Sequence, residues 1–212
     1  MATASAVFRA VDLSRNQPEY LGSILGGIPR GTLTEIVGSA SSGRTALLCG
    51  LLAETTAGVD LGGAEFAALI DTNDTFDPVS ATGSGVRLSQ LLWVRCGGNA
   101  EHAIKAADLL TQAGGFGLVA IDLADAPLNV LRRIPLASWF RLRQAVENTR
   151  TALVTVGACP HTSSCPALKI ELKRRRVLWR GRDPVRLLEG FEGLATKVRN
   201  HRPALQDFTI SR

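Results

Sequence analysis

The chemistry-bearing residues of this 212-residue chain begin at a glycine-rich run, Gly38-Ser-Ala-Ser-Ser42-Gly43-Arg44-Thr45. It fits G-x-x-x-x-G-K-[ST] at every fixed position except the lysine. The glycines permit a nest of backbone N–H groups converging on phosphate, and a helix opening here would add the positive end of its dipole. Arg44 keeps the lysine's charge but not its shape. An ammonium is compact enough to sit between two phosphates, whereas a guanidinium is wide, planar and forked. Two readings follow: loose phosphate or ADP binding without efficient turnover, or a tight strand-to-helix turn with no ligand.

A second cluster is Lys173-Arg174-Arg175-Arg176. On a strand, alternate side chains face opposite sides, so at least two of these cations project together from one face. They suit phosphate or an acidic protein surface; equally, they suit an edge strand protected by charge against aggregation. Charge along the chain is uneven: Met1 to Val130 carries 7 Lys/Arg against 13 Asp/Glu, and Leu131 to Arg202 carries 16 against 5. Such segregation points to an anionic partner on one side. Cys159, His161 and Cys165 lie close in sequence, but no second ligand pair follows, so no metal is expected. With four scattered cysteines, no membrane-length apolar run and no signal pattern, the chain is expected to be reduced, cytoplasmic and off the membrane.

The elements that must position these groups are readable from periodicity. Met1 to Tyr20 is weakly patterned, so residues 1–22 are expected as an extension and 23–212 as one core domain. Thr32 to Val37 reads as a strand into the glycine-rich loop, and Gly43 to Thr56 as the helix after it. Glu65 to Asp71, Leu91 to Cys96, Phe116 to Asp122 and Thr151 to Val156 read as strands. Ala100 to Ala113, closed by Gly114-Gly115, and Leu136 to Asn148 read as helices. Leu168 to Trp179, Ala195 to Val198 and Gln206 to Ile210 form a β-rich end. Strands alternating with helices predict an α/β fold, a mostly parallel twisted sheet with helices on both faces.

The run Leu25-Gly-Gly-Ile-Pro-Arg-Gly-Thr-Leu-Thr-Glu-Ile-Val-Gly-Ser-Ala-Ser-Ser-Gly-Arg-Thr45 resembles the entry of bacterial RecA recombinases into their P-loop. Phe66-Ala-Ala-Leu-Ile-Asp71-Thr-Asn73-Asp-Thr-Phe-Asp77-Pro78 resembles the RecA segment in which a strand ends in Asp-x-Glu, followed by Asp-Pro. Val119-Ala-Ile-Asp122 resembles the Walker B strand, and Leu168-Lys169 with Lys197-Val-Arg-Asn-His201 the C-terminal strands of that core. The matches are colinear from Leu25 to Ile210, and order is more specific than any one motif. The resemblance implies a RecA-type P-loop core.

It also implies what has been lost. At the place of Asn73, active RecA proteins carry a glutamate that activates the attacking water, and an amide cannot accept that proton. Losing a general base commonly costs ~10²–10⁴-fold in rate. Asp122 stands where a Mg²⁺-associated carboxylate is expected, or serves as a strand-end cap, and Asp77 stands where the family contacts the base. The intervals matching the two DNA-binding loops, Leu123 to Pro135 and Gly157 to Ala167, are short. The N-terminal helix and strand that dock RecA subunits on one another have no evident counterpart, so no homofilament is expected. No cofactor is required on this reading, with weak nucleotide or Mg²⁺ binding left open.

A RecA core so trimmed resembles the ImuA group of bacterial SOS proteins. That resemblance implies an accessory scaffold in damage-induced translesion synthesis, partnered by a Y-family polymerase-like protein of the mutasome. RecA itself and non-specific single-stranded DNA are further partners it allows. A weak DNA-dependent RecA-type ATPase and a SulA-like division inhibitor are the alternatives. By resemblance the partner surface is the edge strand with Leu91, Trp93 and Arg95, flanked by the helix carrying Lys105, unless Met1 to Tyr20 folds back over it.

Overall fold

A computed structural model describes residues 20–58, 63–182, 185–199 and 202–211. The expected extension, apart from its last three residues, and any fold-back over the edge strand lie outside them. Beside a small hairpin of β1 (Tyr20–Leu21) and β2 (Ile28–Pro29), one large sheet organises the chain. Its parallel strands are β3 (Leu33–Gly38), β4 (Phe66–Asp71), β5 (Leu91–Arg95), β6 (Phe116–Leu123) and β7 (Ala152–Gly157). Three further strands, β8 (Leu168–Arg182), β9 (Val185–Arg199) and β10 (Arg202–Ser211), complete eight in the order β10-β9-β8-β3-β7-β6-β4-β5. β8 pairs parallel with β3, while β9 and β10 run antiparallel to their neighbours. The α/β architecture expected from the alternating pattern is present.

Helices cover both faces of the parallel part, because its strands are apolar on both sides. α1 (Arg44–Ala57) lays Leu47, Leu48, Leu51 and Leu52 on Ile36, Leu69, Leu118 and Val154. α2 (Pro78–Gly83) joins that face through Ala81. On the other face α3 (Ala100–Ala113) and α5 (Leu136–Val146) set Ala103, Ile104, Trp139 and Leu142 against Leu33, Ile70, Val119 and Leu153. Burying each such large aliphatic side chain contributes roughly 1.5–3 kcal/mol. α3 begins where the Asn99 side chain accepts from His102 N and stops at left-handed Gly114. A single turn, α4 (Leu128–Leu131), lies in the interval after β6.

The β-rich end exceeds its sequence reading. β9 runs for 15 residues where only Ala195 to Val198 reads as a strand, and β8 reaches Arg182. β8 is interior where β3 borders it, through Leu172. Beyond Leu172 it pairs, among the described residues, with β9 alone, so the run Lys173 to Arg176 lies on an open strand edge, as its charged-edge reading expects. Irregularities at Arg174/Arg176 and Leu178/Trp179 break the simple alternation expected of the basic run. The inner residues of these strands, Leu168, Ile170, Leu172 and Ala195, join the core under α1, and beyond them the strands extend as a ribbon beside the helical layers. No helix among the described residues is long and apolar enough to cross a membrane.

Candidate functional site at the carboxyl ends of the parallel strands

In an open parallel sheet, ligands bind in the crevice outside the carboxyl ends of the strands. Here β3, β4 and β6 deliver the glycine-rich loop, Asp71 and Asp122 to that crevice. The loop turns sharply because Gly43 takes φ 100°, and a Cβ there would lie 2.9 Å from Ile210 Cδ1 and 3.0 Å from Phe191 Cζ. Gly38 is held for a different reason: a Cβ would come 2.2 Å from Ser42 Oγ. Ser42 is buried with its hydroxyl unpartnered, whereas Thr45 faces solvent.

Arg44 decides what this loop can do. Its side chain is buried, with Nη1 donating to Gly38 O at 2.7 Å and Nη2 to Asp125 Oδ1 at 3.1 Å. The guanidinium thus joins the loop's first carbonyl to the segment after β6, and its donors point back into the protein. A cleft of about 300 Å³ opens beside it, walled by Ser41, Gly43, Arg44 and Thr45 on one side and by Arg174, Val177, Leu188 and Phe191 on the other. Of the basic run only Arg174 reaches this cleft. Lys173 pairs with Glu171 at 3.0 Å and Arg175 with Asp207 at 2.9 Å. These walls fit a Mg²⁺–nucleoside triphosphate poorly, since the loop's own cation is folded away and apolar side chains close on Gly43.

The carboxylates serve the backbone. Asp71 accepts from Thr75 N and Phe76 N, each at 3.0 Å, and from Trp93 Nε1 at 3.2 Å, which fixes the turn carrying half-buried Asn73. Asp77 caps α2, accepting from Val79 N at 3.2 Å and Ser80 N at 3.1 Å. Its hydrogen bonds from the Ser80 hydroxyl and these amides hold its pKa below the ordinary value. Asp122 accepts from Ala124 N at 2.9 Å, the cap that is the alternative to metal contact. Burial, aided by the charges of Asp71 and Asp125, pushes its pKa up to about 6 against the Ala124 hydrogen bond and Arg44. No cluster of three His, Cys, Asp or Glu able to hold a metal ion occurs among the described residues.

The interval between β7 and β8 is pinned from below. Glu35, fully buried on β3, accepts from His161 N at 2.7 Å and Thr162 N at 2.8 Å, and pairs with Lys169 Nζ at 3.0 Å. Burial alone would raise its pKa; these hydrogen bonds and the neighbouring His161 outweigh it, and the net shift is downward. His161 also stacks edge-on against Trp139, 5.5 Å between ring centroids. Nothing in the order of residues marks Glu35 as the anchor of a loop 126 positions away.

The proposed partner surface divides. β5 is the last strand of the sheet. Leu91 and Trp93 pack on the α1 side, however, where Trp93 meets Phe76 edge-on at 5.3 Å and carries Arg95 over its ring at 5.2 Å. α3 covers the opposite face with Val94, so Lys105 shares no face with Trp93. Lys105 instead lines a groove with Ile104, Arg133, Ile134 and Arg141.

A model of the RecA N-terminal domain matches residues 19–130, from β1 through Val130 at the end of the Asp122 segment. The chain belongs to the RecA family. It is 32% identical to Protein RecA of Herpetosiphon aurantiacus over 146 residues, 62% of this chain and 39% of that protein. To Protein RecA of Methylococcus capsulatus it is 40% identical over 103 residues, 48% of this chain and 27% of the relative. To that of Borrelia duttonii it is 37% identical over 104 residues, 48% and 26% respectively. The matched region thus spans less than half of these RecA proteins. The ribbon lies beyond the stretch that the RecA N-terminal model covers.

Proposed function

We propose that this RecA-family chain is a catalytically degenerate accessory protein that scaffolds damage-induced translesion synthesis, as the ImuA group does. The observation that carries the reading is Arg44, whose guanidinium is taken up by Gly38 O and Asp125 where an ATPase needs a cation free for phosphate. Asn73 supports it, because a carboxamide cannot act as general base on water. With the chemistry removed, the retained core serves association: a Y-family polymerase-like protein on the β5 edge, in the cytoplasm, with RecA as a further partner. No cofactor is needed for that role.

The test is steady-state phosphate release by the purified protein with and without single-stranded DNA. Background release is expected, unchanged by Arg44→Lys, because that substitution restores a cation and leaves Asn73 unable to activate water. DNA-stimulated turnover comparable to an active RecA protein, abolished by Thr45→Ala, overturns the proposal in favour of a true ATPase.

A further inference from the structure

A groove of about 780 Å³ runs between the first two turns of α3 and the stretch from α4 into α5. Its floor is apolar, with Ile104 buried and Val130 and Ile134 half-buried against the core. Its rim is cationic on both sides: Lys105 stands on the α3 wall, Arg133 and Arg141 on the facing one, and all three are exposed. Arg141 gives its Nε to Asp108 at 2.9 Å, whereas Lys105 and Arg133 have no ion-pair partner among the described residues. Glu101 is the one carboxylate in the lining. Nothing lies within 4 Å of a Cβ built on Gly97 or Gly98, so the groove is open at the end that follows β5.

We infer that this groove docks an acidic, amphipathic segment of a protein partner, which lays apolar side chains on Ile104, Val130 and Ile134 and carboxylates against Lys105, Arg133 and Arg141. Unpaired cations on facing walls repel one another, and an anion set between them relieves that repulsion. The apolar floor decides what kind of anion. A free phosphate would leave the floor in water. A nucleic-acid strand would find no aromatic side chain in the lining on which to stack a base, and Glu101 would repel its phosphates. A protein segment with carboxylates flanking an apolar stripe meets both demands, in the arrangement of apolar centre and polar rim that protein interfaces share. Lys105 shares no face with Trp93, so a contact through this groove is separate from one through the Trp93 face of β5. The inference does not rest on the accessory-factor reading, because it uses neither the P-loop nor a polymerase-like partner.

The probe is a fluorescein-labelled helical peptide of about 16 residues, with Leu at i, i+3, i+4 and i+7 and Glu at most other positions, titrated against the full chain by anisotropy. Saturable binding that weakens with salt is expected. Peptides with every Glu changed to Gln, or every Leu to Ser, should each bind about tenfold more weakly or worse, since each removes one of the two demands. In the protein, Lys105→Glu combined with Arg133→Glu should cost the acidic peptide roughly tenfold and create affinity for a Lys–Leu peptide of the same pattern, a swap that loss of structure does not produce. Ile134→Ser should weaken the acidic peptide and leave its salt dependence unchanged. Circular dichroism matching the parent checks that both variants fold. Absence of saturable binding overturns the inference, as does unchanged affinity in the double charge reversal or equal binding of the Gln peptide. Oligothymidine binding that the same double variant loses, and that the acidic peptide does not compete, would assign the groove to nucleic acid and overturn it too.

Discussion

The parallel half of the sheet and its antiparallel ribbon are built from the same strand geometry and put to opposite ends. In β4, β6 and β7 the strands are sandwiched, and residues such as Leu69, Ile70, Val119 and Val154 are at most 1% exposed. Along the ribbon Leu187 and Leu205 are 66% and 68% exposed, and guanidinium groups crowd the surface. Burial is what converts an apolar side chain into stability, so the first region should hold the fold and the outer ribbon should add little to it. The cleft between them takes something from each: one wall is the glycine-rich loop and the start of α1 that follow β3, and the other, with Arg174 and Phe191, comes from the ribbon.

The sharpest way to break that comparison is to remove the largest buried side chain. Trp139 on α5 is fully buried between the sheet and the His161 loop. Trp139→Ala should cost about 3–5 kcal/mol, a cavity the surrounding core cannot close. Urea unfolding should report it as a lower midpoint with little change in slope. Leu205→Ala on the ribbon, run beside it, should shift the midpoint hardly at all, and a comparable loss there would mean that the ribbon is part of the core.

The two buried carboxylates sharpen the comparison through pH. Asp122 is held protonated to about pH 6, above its ordinary value, so folding takes up a proton there and native stability rises as pH falls from about 6 towards 4. Glu35 works the other way: its pKa is lowered, so the stability it contributes is present above its ordinary value of 4.5 and is lost as pH falls below it. Asp122→Asn keeps the acceptor for Ala124 N and removes the buried charge. It should therefore stabilise the protein at pH 7.5 by on the order of 1–2 kcal/mol and flatten the profile between pH 4 and 6. A variant less stable than the parent at pH 7.5 would show that Asp122 is needed as an anion, as a metal ligand would be.

How much of this is legible in the sequence follows the same division. β3, β4, β6 and β7 stand out as apolar runs, and α1 and α3 as periodic ones, because both faces of each strand and one face of each helix meet a core. Asn99 and Gly114 mark the ends of α3 in the sequence itself. In the ribbon Leu168 to Trp179, Ala195 to Val198 and Gln206 to Ile210 are legible as a β-rich end, but the rest of β9 buries little and gives no signal, and the irregularities at Arg174/Arg176 and Leu178/Trp179 shift the alternation of β8. α2 has one signal, Asp77-Pro78, and in the structure the Asp77 carboxylate caps that helix. At the site, the missing lysine and glutamate are visible by type. The destination of Arg44 is not, because Asp125 lies 81 positions away. The separation of Trp93 from Lys105 is likewise set by which face of β5 each helix covers.

The smallest expected effect tests the ribbon on its own terms. Arg175 and Asp207 pair at 2.9 Å across its surface with side chains 58% and 77% exposed. An exposed pair in water gains little, since its Coulomb attraction is screened and two long side chains lose freedom, so it is worth about 0–0.5 kcal/mol. Asp207→Asn should accordingly leave the unfolding midpoint within error. A loss of stability would mean that the Arg175–Asp207 pair holds β8 and β10 in register, and that the ribbon belongs to the fold it flanks.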